Sequence, residues 1–166
     1  YENFKVDALT VAPYMGSDSV LPFLEYSDKW VILLALTSNQ GAQDFQMLHT
    51  GEETCLFEQV LKTALSWEGA DHIMFVVGAT QSNLMQRVRA VAPNAFLLVP
   101  GVGAQGGSLE AVAEHAMTSD CGLIVNSSRG IIYAGNDERF ASASAQAASD
   151  LERQMEQTLI DKGIID

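Results

Sequence analysis

The chain has 166 residues, 48% of them apolar, a formal net charge of −12 and a pI near 4.4. That length suits one well-packed domain, residues 1–166, and is too short for two full α/β domains. The acidity argues against a surface that tracks a nucleic-acid backbone, which needs clustered Lys and Arg, whereas a small phosphorylated ligand needs only one well-placed cation.

Five apolar runs follow one another, at 8–11, 30–36, 72–77, 95–99 and 122–125, rich in Val, Ile, Leu and Phe with little polar alternation. They read as strands buried on both faces, as parallel strands are. Each ends in a polar or glycine-bearing cluster: APYMGSDS, TSNQG, GATQ, PGVGAQGG and NSSRG. Helical spacing marks 53–67, 82–91, 108–117 and 137–162, with Ser82 as a cap, Gly69 as a stop and Pro93 after a last turn. Shorter helical turns are expected after Asp18 and Asp44, with Pro22 allowed only in an opening turn. Strand, loop and helix in repetition make a parallel α/β fold, whose ligands sit at the carboxyl ends of the strands.

The strand count favours an open doubly wound sheet, because a closed barrel needs eight strands. The polar chemistry of all five loops favours a (β/α)8 barrel instead, with three of its strands outside the sequence. No run reaches the ~20 apolar residues of a membrane helix. Cys55 and Cys121 show neither metal spacing nor a disulfide framework, which points to a reduced, cytoplasmic setting. Tyr1 opens the chain with neither a signal peptide nor an initiator Met, so further residues are expected upstream.

Gly101, Gly103 and Gly106 match G-x-G-x-x-G after a strand, the spacing of a dinucleotide site. The acidic residue that would hold a ribose is missing, since the next strand ends in Asn126, Ser127 and Ser128. That weakens an NAD(P)-dependent oxidoreductase. The same loop suits a phosphate: Gly103, Gly106 and Gly107 let N–H groups approach an anion, the next helix adds its amino end, and Gln105 can reach over a ligand. Arg129 is the only cation closely following a strand end, where a guanidinium can grip a phosphate in bidentate fashion. The competing reading is a surface arginine paired with an acid. Thr37, Ser38 and Asn39 can read the edge of a polar heterocycle or form a turn.

Proton chemistry is absent from these loops. Lys5 and Lys29 precede strands, Lys62 lies in a helix and Lys162 near the end, while His49, His72 and His115 fall in solvated or core positions. No Ser-His-Asp set, metal cluster or P-loop can be assembled.

DALTVAPYMGSDS (7–19), LTSNQGAQDFQ (36–46), VVGAT (76–80), LLVPGVGAQGG (97–107) and NSSRGIIYA (126–134) together resemble orotidine 5′-phosphate decarboxylase, in its longer bacterial subgroup. The resemblance implies a (β/α)8 barrel of which this chain carries about the last five βα units. It also implies a homodimer with active sites near the interface, no metal or organic cofactor, and conversion of orotidine monophosphate to uridine monophosphate. The family's phosphate site maps onto Gly103, Gln105, Gly106, Ser128 and Arg129, and its pyrimidine contact onto Thr37 or Ser38. Its catalytic D-x-K-x-x-D run is not found, so no catalytic residue is assigned in this chain and the lysine is expected upstream. The alternatives are a non-catalytic module that binds a nucleotide phosphate and, less favoured, the oxidoreductase.

Overall fold

The computed structural model describes residues 1–103 and 106–166. Five strands, β1 (Ala8–Val11), β2 (Trp30–Leu36), β3 (Ile73–Val77), β4 (Leu97–Pro100) and β5 (Leu123–Asn126), form one sheet. All neighbours are parallel and the spatial order is β1-β2-β3-β4-β5. A doubly wound sheet reverses its strand order at a switch point. This sheet never reverses, so that alternative is wrong, and the sequential order is that of an arc of a barrel wall.

Between the strands lie α1 (Leu21–Leu24), α2 (Ala42–Phe45), α3 (Leu56–Leu65), α4 (Ser82–Val91) and α5 (Leu109–Ala116), and α6 (Arg129–Ile132) and α7 (Phe140–Asp161) follow β5. Pro22 does sit in the opening turn of α1. The helix expected at 53–67 starts later because Cys55 bridges His49, and Leu56 N–H donates to Leu48 C=O, in a short antiparallel pairing. Ser82 is not a cap: a 3-10 turn at Ala79–Gln81 runs directly into α4 and makes Ser82 its first helical residue. The last helix starts at Phe140 rather than 137, because Asp137 turns back to accept the Arg139 N–H. Among the described residues no helix is long and apolar enough to cross a membrane.

The core lies on the convex, helix-covered side of the arc. In register across β2, β3, β4 and β5, Leu33, Phe75, Leu97 and Leu123 are buried against α3, α4 and α5. The opposite row is Leu34, Val76, Leu98 and Ile124, with Thr10, Ile32 and Met74 one layer below. Of these, Val76 is buried, Thr10 is exposed, Ile124 is 41% exposed and the rest are half-buried. Burial on both faces therefore holds at Val76 of β3 but not along the rest of the concave row, and β1 is exposed along most of its length. The concave face is apolar in sequence but lacks a covering layer among the described residues.

Two polar clusters tie the helical layer together. Glu58 is buried, accepts the Cys55 N–H at 2.8 Å and is held by Arg87 of α4 at 3.0 and 2.5 Å. At the strand-entry end, Arg89 donates to the carbonyls of Ala116, Ala92, Pro93, Ala95 and Gly122 at 2.6–3.4 Å. Burial lowers its pKa to about 10, which leaves it charged at neutral pH.

Candidate functional site

The rim at the carboxyl ends of the strands is built by loops that touch one another. β2 runs out into Thr37 and Ser38, and the Ser38 hydroxyl donates to the Pro100 carbonyl at the end of β4, 3.3 Å away. To get there it passes over Gly78, the residue after β3. A methyl group on Gly78 would lie 2.0 Å from Ser38 Oγ and 2.6 Å from Ser38 N. Glycine is required at 78 for close approach, not for an unusual φ. Thr80 closes the same junction by donating to the Ser38 carbonyl at 3.4 Å. Thr37 is held differently, its N–H on Gln46 Oε1 at 2.8 Å and its hydroxyl on Asn39 Oδ1 at 2.5 Å.

The second half of the rim joins the loops after β4 and β5. Ser127 Oγ donates to Val102 C=O at 3.3 Å, and Ser128 Oγ donates to Asn126 Oδ1 at 3.0 Å. Between them lies a cavity of about 70 Å³ bordered by Gly101, Val102, Ser127, Ser128, Arg129 and Gly130. Arg129 opens α6 beside it, exposed, and its guanidinium has no hydrogen-bond or ion-pair partner among the described residues. Among the described residues, the surface ion pair that competed with the phosphate reading is therefore not formed.

The glycine loop departs from the sequence expectation. Gly103 and Gly106 have φ of 79° and 84°, which side chains other than hydrogen tolerate poorly. Yet the N–H groups expected to face an anion are used within the loop: Gly103 on Gly107 C=O, Gly106 on Gly103 C=O and Gly107 on Gly101 C=O. The amino end of α5 is also compensated, since Ser108 caps it by accepting the Ala111 N–H, and Glu110 sits in its first turn. A hydrogen bond from Ser108 holds the Glu110 carboxyl below its ordinary range. Among the described residues that border this cavity, Arg129 is the cation. Gln105 lies outside the described residues.

The comparisons with known proteins give the family of the chain. The family model for orotidine 5′-phosphate decarboxylase / HUMPS matches residues 1–144, which takes in all five strands and their loops. The chain belongs to that family. Orotidine 5′-phosphate decarboxylase of Porphyromonas gingivalis (strain ATCC 33277) is 56% identical over 165 residues, covering 99% of this chain and 60% of that protein. The Parabacteroides distasonis enzyme is 56% identical over 165 residues, covering 99% of this chain and 59% of its own length. The chain thus spans about 60% of the curated relatives it matches. Among solved structures, Leishmania donovani OMP decarboxylase superposes with a TM-score of 0.76 at 36% identity, covering 92% of this chain and 58% of that one. Leishmania donovani UMP synthase gives a TM-score of 0.78 at 38% identity over 91% of this chain and 34% of its own.

Within the family frame, the structure brings Ser38 together with Pro100 and groups Ser128 and Arg129 around one cavity. Among the described residues it does not bring a lysine to the rim. Lys29 pairs with Asp7 at 3.3 Å at the opposite end of the sheet, and Lys62 is on α3. His72 sits beneath β3 with its ring 5.4 Å from Trp30, and His115 is on α5 against Gln86. Sequence reasoning missed Gln46, Gly78 and Pro100, whose roles arise only where loops distant in sequence meet. The motifs LTSNQGAQDFQ and VVGAT contained the first two, without a signal of what they touch.

Proposed function

We propose that the protein to which this chain belongs removes the carboxylate of orotidine monophosphate, giving uridine monophosphate and CO₂. The unpartnered guanidinium of Arg129, beside the glycine loop and on the same rim as Ser38, carries this reading. Arg129 and Ser128 would take the phosphate, with Gly103, Gln105 and Gly106 covering it. Ser38 would read the pyrimidine, since both donors of Thr37, its N–H and its hydroxyl, are already engaged by Gln46 and Asn39. The Asp-Lys-Asp set that the family uses to stabilise and protonate the carbanion would come from the share of the relatives' length that this chain does not match.

Residues 1–166 would then be one domain, the carboxyl-terminal part of a (β/α)8 barrel. The apolar concave row of Ile32, Leu34, Met74, Leu98 and Ile124 supports this, because three further strands would bury it. A homodimer also fits. Tyr14 and Phe45, on the loops after β1 and β2, have ring centroids 6.3 Å apart, and with Met15 they are 87%, 58% and 77% exposed.

In the catalytically competent protein, Arg129→Ala should weaken uridine monophosphate binding by about 2 kcal/mol, the size of a charge-assisted phosphate contact. Unchanged affinity would refute the role given to Arg129. A second reading, a module that binds the nucleotide without turning it over, is favoured by the absence of a rim lysine among the described residues. A decarboxylation assay on the protein purified from its natural source separates the two.

A further inference from the structure

Gln46 follows α2 and links three elements. Its side-chain carbonyl accepts the Thr37 N–H at 2.8 Å, and its amide nitrogen donates to Thr37 Oγ1 at 2.9 Å. Its backbone carbonyl accepts the N–H of Phe57, a fully buried residue in the first turn of α3, at 3.0 Å. The end of β2, the α2 loop and the start of α3 are thus joined through one side chain and its own peptide.

The consequence falls on the next residue. With its N–H on Gln46 and its hydroxyl donating to Asn39 while accepting from Gln46, Thr37 has no donor left to offer a ligand. Ser38 is the reverse case. Its hydroxyl makes one long contact, to Pro100 C=O at 3.3 Å, which a better partner can displace. Ser38 follows Thr37 directly, so a hold on the Thr37 N–H and hydroxyl restrains the direction in which Ser38 presents its own.

We propose that Gln46 is a positioning residue for base recognition. By holding Thr37 at two points, it fixes the Ser38 hydroxyl toward the pyrimidine without touching the nucleotide itself. The inference rests on the reading of the rim as a uridine-nucleotide site.

The test compares two ligands in the intact protein, uridine monophosphate and ribose 5-phosphate, which keeps the phosphate but has no base. Gln46→Met preserves length and removes both hydrogen bonds. It should weaken uridine monophosphate about tenfold, the worth of one well-placed hydrogen bond, and leave ribose 5-phosphate within about twofold. Gln46→Glu, which still accepts the Thr37 N–H, should recover most of the loss. Should Gln46→Met not fold, Thr37→Val removes the hydroxyl half of the clamp and should show the same selective loss. Equal weakening of both ligands would mean a merely structural role and overturn the proposal. So would an unchanged uridine monophosphate affinity in a parent protein that does prefer it. A parent protein with no preference between the two ligands would overturn the nucleotide reading of the rim and the clamp with it.

Discussion

At the scale of the residue, the junction between β2 and β3 on the rim depends on the absence of a side chain at Gly78. Gly78 lets the Ser38 backbone and hydroxyl cross the end of β3 at distances no methyl group can share. Gly78→Ala is expected to cost roughly 1–3 kcal/mol of stability, as overpacking does. It should also weaken uridine monophosphate more than ribose 5-phosphate, which paired denaturation and binding measurements will register. Ser38 and Thr37 were indistinguishable in the sequence, where both are hydroxyls after a strand. Their difference is a matter of partners: Gln46, nine residues further along, and Pro100, sixty-two residues away from Ser38, sort them.

At the scale of the element, two polar clusters away from the rim add to the apolar core in fixing the helices. Burial pushes the Glu58 carboxyl up, but hydrogen bonds from Arg87 and the Cys55 N–H together outweigh it and leave the group below the ordinary range. A carboxyl lowered on folding stabilises the native state above its unfolded pKa, and that contribution is lost as pH falls through the folded value. Thermal unfolding of the parent should therefore lose ground to Glu58→Gln between about pH 5 and pH 3, while at pH 7 the variant should be less stable by roughly 2 kcal/mol. Equal pH slopes for the two proteins would remove Glu58 from the account. Arg89 is the larger element-scale device, because five carbonyls from the ends of α4 and α5 and the starts of β4 and β5 converge on it. Arg89→Met should cost roughly 2–4 kcal/mol by stranding those carbonyls, with nucleotide affinity of the folded fraction unaltered. Neither cluster had a sequence signature, since an arginine on a helix reads as solvated until the helix is packed. The elements themselves were legible wherever apolar periodicity was uninterrupted, as at Ala8–Val11, Trp30–Leu36 and Ser82–Val91. Boundaries failed where a neighbour competed for the backbone, as at Cys55 and Asp137.

At the scale of the whole molecule, the described residues cover the sheet with helices on one side only. Ile124 stands on the concave face, 41% exposed, on an outer strand of the arc. Ile124→Lys should change the stability of the 166-residue chain by no more than about 0.5 kcal/mol, as a surface substitution does. In a closed barrel the same change would bury a charge and cost several times more. Chemical denaturation of the chain and of a full-length relative carrying the equivalent substitution provides the comparison, and equal costs would mean that the concave face is not covered by further strands.

The sequence by itself determined the five strands, their parallel α/β character and the family, because each is written in local periodicity or in contiguous motifs. The strand order, the one-sided burial of the sheet and the engaged state of the glycine loop's N–H groups were decided only by the tertiary structure. So were the separation of Ser38 from Thr37 and the clamp at Gln46. These properties depend on which distant segments come within hydrogen-bonding or van der Waals reach, and contacts across tens of residues leave no mark on the spacing of residues along the chain.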